Sequence, residues 1–88
     1  MNFGKALGLL KEGKKVARSG WNGKGMHLFL LHGISIQSKI TENYGNGIAE
    51  ETPKVTDSIC MYTAQKTVVV GWLASQTDML VEDWQEVK

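Results

Sequence analysis

Two short segments of this chain carry the residue types that hold a polar small molecule. Trp21-Asn22-Gly23-Lys24 sets an indole beside a side-chain amide, a glycine and a cation, and Arg18 lies just upstream. An indole face stacks a nucleobase, an interaction worth about 1–3 kcal/mol per base. Gly23 and Gly25 let backbone amides come close to a ligand. Lys24 can neutralise phosphate charge, and Arg18 can add a bidentate phosphate contact. The second segment is Trp72-Leu73-Ala74-Ser75-Gln76-Thr77-Asp78. Ser75 opens a helix whose first amides have no internal partner and attract anions. The Ser75 and Thr77 hydroxyls donate to phosphate or ribose, and Gln76 and Asp78 suit ribose hydroxyls or an adenine edge. Asp78 would repel a phosphate lying over that helix end, so its place is on a ribose or in the cap.

Each segment also has a plain structural reading. Trp21 can tuck over the core beside a tight hairpin. Ser75-x-x-Asp78 is an ordinary capping box. Trp72 either stacks on a ligand or fills the core, and Trp84 reads as structural.

Other chemistries find little support. Ser19 and Ser75 have no local His-Asp partner for nucleophilic catalysis. His27 and His32, an odd number of residues apart on one expected strand, face opposite sides of a sheet and cannot share a metal. Cys60, alone and within an apolar strand, reads as buried and inert, which fits a reducing, intracellular setting. Glu82, Asp83 and Glu86 can be drawn as an acidic pair for hydrolysis, but such clusters are usually solvated. No catalytic residue, metal site or cofactor is expected.

Length and charge narrow the class further. Eighty-eight residues, 42% hydrophobic, make one domain over residues 1–88, with a core small enough to favour self-association. Residues 1–24 hold five lysines and Arg18 against Glu12 alone, a net of +5, whereas residues 25–88 hold four lysines against eight acids, a net of −4. A basic footprint for duplex nucleic acid is therefore missing, and the positive end is either a solvated face or an attractor for a small anion. No apolar run nears the roughly 20 residues of a membrane span, and no signal-peptide core is seen. A cytoplasmic protein is expected.

Several elements must position these residues. Asn2 caps a helix from Phe3 to about Glu12, with Phe3, Ala6, Leu7 and Leu10 at helical spacing and Gly13 as its stop. Lys14 to Arg18 reads as a strand that leads into a turn marked by Asn22-Gly23, a strong hairpin signal. Met26 to His32 reads as a central strand, and Ile34 and Ile36 as the start of another. Residues 37–57, with Tyr44-Gly45-Asn46-Gly47 and Pro53, read as a long surface loop. Ser58 to Thr63 and Thr67 to Val70 form a hairpin around Ala64-Gln65-Lys66. Ser75 caps a short helix to about Val81, and Trp84 to Val87 makes a closing edge strand. The fold class is α+β, one antiparallel sheet with an N-terminal and a short C-terminal helix.

Taken together, these motifs bear a family resemblance. Met1-Asn2-Phe3-Gly4 with Ala6-Leu7, Gly13-Lys14-Lys15-Val16-Ala17-Arg18, Gly20-Trp21-Asn22-Gly23-Lys24, Met26-His27-Leu28-Phe29-Leu30, Trp72 to Asp78, and Asp83-Trp84 resemble the phage Thoeris anti-defence sponges of the second type. The resemblance covers nearly the whole chain and is poorest over residues 33–57; Gly71 departs from the strand-like residue expected before Trp72. It implies a homotetramer with ligand pockets between subunits. It also implies sequestration of the glycocyclic ADP-ribose signal of a Toll/interleukin-receptor-like sensor, so that the NAD-depleting effector stays silent. Some relatives also hold cyclic dinucleotides. The contacts it implies are Trp21, Asn22, Gly23, Lys24, Ser75, Gln76, Thr77 and Asp78, with Arg18 and Trp72 added on position. Three other readings stay open: an enzyme that cleaves such signals, an interaction domain whose tryptophans form a protein interface, and, more remotely, a nucleic-acid binder.

Overall fold

The computed structural model describes residues 1–44 and 52–88. Asn2 caps α1 (Phe3–Lys11) by accepting a hydrogen bond from the Lys5 amide, and the helix stops before Gly13. β1 (Lys15–Arg18) and β2 (His27–Leu31) follow. A 3₁₀ turn (Gly33–Ser35) then leads into α2 (Gln37–Tyr44). β3 (Ser58–Tyr62), β4 (Val68–Val70), α3 (Gln76–Leu80) and β5 (Trp84–Val87) complete the chain. The five strands form one antiparallel sheet in the order β4-β3-β2-β1-β5, with β2 at its centre. The α+β expectation holds.

The pairings Val16↔Leu28, Leu28↔Met61 and Met61↔Val69 carry one row of side chains across four strands. α1 packs over this row on β1, β2 and β5. Val16 and Leu28 are therefore fully buried with Ala6, Leu10 and Trp84. Each large aliphatic side chain withdrawn from water in this way contributes about 1.5–3 kcal/mol. Phe3, Trp21, Trp72 and Met61 close the margin of this small core. Val69, at the far end of the row and beyond the reach of α1, stays half exposed.

Three sequence expectations change. Ile34 and Ile36 start no strand, because Gly33–Ser35 turns as a 3₁₀ helix whose Gly33 amide donates to Asp57 Oδ1 at 2.9 Å. The expected loop over residues 37–57 contains α2, an eight-residue helix with no buried residue. Gln37 ties that helix to the returning chain, donating to the Pro53 carbonyl and accepting from the Val55 amide, each at 2.9 Å. The Gly45-Asn46-Gly47 part of the loop reading lies outside the described residues. Finally, Asn22-Gly23 is not a two-residue hairpin: β1 and β2 are joined by residues 19–26, and the positive φ falls at Gly25. Asp83 explains this wider excursion, since it accepts the Gly20 amide at 3.0 Å while its carbonyl accepts the Ser19 amide at 3.0 Å.

Candidate ligand-binding site

Tryptophans from three separate segments meet at the margin of the core. Trp21 lies edge-on to Trp84 with ring centroids 5.4 Å apart and to Trp72 at 6.3 Å, and Trp72 meets Trp84 at 6.2 Å. Such tilted contacts match the positive edge of one ring to the negative face of another. Trp84 is buried, and its Nε1 donates to the Asp78 carbonyl at 2.8 Å. Trp72 and Trp21 are half-buried. Trp72 therefore fills the core margin, and the structural reading of Trp84 is borne out.

Beneath the tryptophans runs a polar clamp. Arg18 Nε donates to Asp83 Oδ1 at 2.9 Å, and Arg18 Nη1 donates to Asp78 Oδ1 at 2.8 Å. The other Asp78 oxygen accepts the Ser75 amide at 2.9 Å, and Ser75 Oγ accepts the Asp78 amide at 3.0 Å, which makes the capping box of α3. The hydrogen bonds that Arg18 donates to Asp83 and then to Asp78 raise the pKa of its guanidinium further above its already high value. Arg18 and then the Gly20 amide hold the Asp83 carboxyl below the ordinary range. For Asp78, burial pushes upward most strongly, but the Ser75 amide and Arg18 together outweigh it and the net shift is downward. The clamp thus ties the end of β1, the 19–26 loop, α3 and the start of β5 into one charged unit.

The 19–26 loop forms the ridge between two clefts. The larger, about 520 Å³, is lined by Trp21, Asn22, Gly23, Met26, Met61 and the Thr63-Ala64-Gln65 turn between β3 and β4. The smaller, about 270 Å³, lies on the Arg18 side and shares Trp21, Gly23 and Met26 with the larger. Gly23 is required by contact: a Cβ there would run into Met26 and stand 2.8 Å from the Ala64 Cβ. The larger cleft therefore offers an indole, two thioethers and a methyl as an apolar wall, with the Asn22 and Gln65 amides and the Thr63 hydroxyl as polar groups.

The sequence-derived candidates divide accordingly. Trp21, Asn22 and Gly23 line the larger cleft. Arg18 reaches the smaller one, but its guanidinium is occupied by two carboxylates rather than free for a phosphate. Lys24 is exposed beside the ridge and lines neither cleft. Asp78 is in the cap and buried, one of its two expected places. Ser75, Gln76 and Thr77 are exposed at the start of α3 and line neither cleft; α3 is joined to the ridge through Asp78, which bonds Arg18 and, by its carbonyl, Trp84. Sequence reasoning missed Met26, Met61, Thr63, Ala64 and Gln65. The one available signal was the expected hairpin turn at residues 64–66, because no local pattern shows that it folds against Gly23. Among the described residues, no three His, Cys, Asp or Glu side chains gather as a metal would require.

Known proteins resemble this chain over almost its whole length. The Tad2-like family, described as the Thoeris anti-defense 2-like domain, matches residues 1–87. A protein of Bacillus phage SP01, Thoeris anti-defense 2, is 44% identical over 87 residues, which cover 99% of this chain and 94% of that protein. With its tryptophan ridge and capped helix both inside the matched span, the chain belongs to the Thoeris anti-defense 2-like family.

Proposed function

We propose that this protein blocks Thoeris defence by binding a glycocyclic ADP-ribose signal and holding it unchanged, as a homotetramer in the cytoplasm of the infected cell. Family membership supports the anti-defence role. The observation that carries the ligand reading is the larger cleft, built on Trp21-Asn22-Gly23 and facing the Thr63-Ala64-Gln65 turn. An ADP-ribose-derived cycle presents an adenine, two riboses and a pyrophosphate. The Trp21 indole and the Met26 and Met61 thioethers suit the base, and Asn22, Thr63 and Gln65 suit ribose hydroxyls. Lys24 and Lys66, each next in sequence to a lining residue, supply cations for the pyrophosphate at the cleft's edge. Cyclic dinucleotides offer the same groups and form a second ligand class.

Two features favour holding over cleaving. Asp83, one of the acidic residues a hydrolase reading would use as base, lines neither cleft, is committed to Arg18 and the Gly20 amide and is held below the ordinary carboxylate range, which makes it a weak base at neutral pH. The cleft is also open along one side in a single protomer, whereas tight ligands are buried over most of their surface. A wall shared between protomers would close it. Calorimetric titration with glycocyclic ADP-ribose tests the reading. Saturable binding that Trp21→Ala weakens at least tenfold supports it, and no heat of binding to the native protein contradicts it.

A further inference from the structure

The ladder between β2 and β3 ends at the pair His27↔Tyr62. One residue beyond it the strands part as Met26 and Thr63, and both of these line the larger cleft. By the two-residue alternation of a strand, Met26 and Thr63 continue the row of Leu28 and Met61 on the α1 side of the sheet. His27 and Tyr62 face the other side. The cleft therefore opens in front of the last rung, and two aromatic rings stand behind it.

Those rings are stacked, with centroids 5.1 Å apart and planes 15° from parallel. Phe29 flanks His27 at 6.2 Å. The stack aims the imidazole back along its own strand, where Nδ1 lies 2.8 Å from the Gly25 carbonyl oxygen. A carbonyl only accepts, so Nδ1 carries the hydrogen and donates it, and the neutral ring keeps its lone pair on Nε2. Gly25 has a φ of 81°, a left-handed conformation that turns the loop back into β2. Met26, between the two bonded residues, lines both clefts. Asp83 holds the entry to the 19–26 loop through Ser19 and Gly20, and His27 holds the exit.

We infer that His27, with its hydrogen on Nδ1, is a positioning residue for ligand capture. Its bond to Gly25 fixes the ridge, and its stack on Tyr62 ties that bond to the strand that delivers Thr63. One ring thereby sets the separation between the ridge and the β3–β4 turn. That separation is narrow, since a Cβ at Gly23 would stand 2.8 Å from the Ala64 Cβ. A base laid against Trp21 shares this space, so a small shift of either wall weakens its binding. His27 itself lies behind the sheet and touches no ligand. The inference rests on the reading of the larger cleft as the nucleotide site.

Three variants and one spectrum test it. His27→Phe keeps an aromatic ring against Tyr62 but has no donor for Gly25. His27→Asn loses the ring but places an amide N–H where Nδ1 stands, whereas His27→Gln carries its amide one bond further out. In calorimetric titrations with glycocyclic ADP-ribose, His27→Phe should bind about tenfold more weakly than the native chain, with Tm little changed. His27→Asn should bind about tenfold more tightly than His27→Gln, because only the position of the donor separates them. Nitrogen NMR of the ligand-free native protein at mildly alkaline pH, assigned by the signals that His27→Asn lacks, should show hydrogen on Nδ1 and none on Nε2. Native affinity in His27→Phe, equal affinities in His27→Asn and His27→Gln, or hydrogen on Nε2 would overturn the inference. A native chain that binds no nucleotide would instead defeat the ligand reading on which it rests.

Discussion

Arg18 Nη1 lies 2.8 Å from Asp78 Oδ1, a contact between residues 60 positions apart. It joins the strand that delivers the Trp21 loop to the helix that follows Trp72, and so makes one unit of two motifs that are separate in sequence. Arg18 also holds Asp83, which anchors Gly20 on the other side of the ridge. Arg18 and Asp83 thereby fix the start of the loop that carries Trp21.

Arg18→Met should therefore lower Tm and weaken binding of nucleotide and of uncharged adenosine by the same factor. A residue contacting pyrophosphate would, when removed, weaken only the nucleotide. Parallel titrations of the two ligands separate these outcomes.

Ser75→Ala removes the acceptor of the Asp78 amide and with it one half of the capping box. The expected loss is about 1 kcal/mol, a fall in Tm of roughly 4–8 °C for a domain of this size. Thermal melts followed by circular dichroism measure it. Arg18→Met should fall further, because it leaves both the Asp78 and Asp83 carboxylates without their cation.

Acid should act through the same clamp. The Asp78 and Asp83 pKa values are lower folded than unfolded, so the unfolded chain takes up protons first as pH falls. Their stabilisation is fully present above the unfolded carboxylate value near pH 4. It is lost as pH drops through the lower folded values. Arg18, raised further, does not titrate in this range. Melts between pH 7 and pH 3 should show Tm steady at first and then falling, with a shallower fall in Asp83→Asn.

Local elements were legible in the sequence and the site largely was not. Asn2 and Gly13 bound α1 because capping is a short-range hydrogen bond, and Ser75-x-x-Asp78 opened α3 for the same reason. Helix α2 was missed because it buries nothing, so no apolar face marks it. Asn22-Gly23 misled because Asp83, far along the chain, holds the preceding Ser19 and Gly20 amides in a wider loop. Arg18 looked like a phosphate ligand for want of a visible partner, and both partners lie at least 60 residues away. Gly71, which departs from a strand-like residue, sits at φ 92°, where the chain leaves β4 and a side chain would be strained.

Gly23→Ala should close the larger cleft from within, since the new methyl needs the space of Met26 and Ala64. Nucleotide binding should fall by more than tenfold while the far-UV spectrum is retained. Calorimetry and circular dichroism on the same sample check this.

The most direct test of signal capture is to mix the purified protein with glycocyclic ADP-ribose, remove free ligand by filtration, denature the protein by heat, and identify what is released by mass spectrometry. Intact signal in fixed ratio to protein is the predicted result. A cleaved product, or no nucleotide retained, would contradict the account.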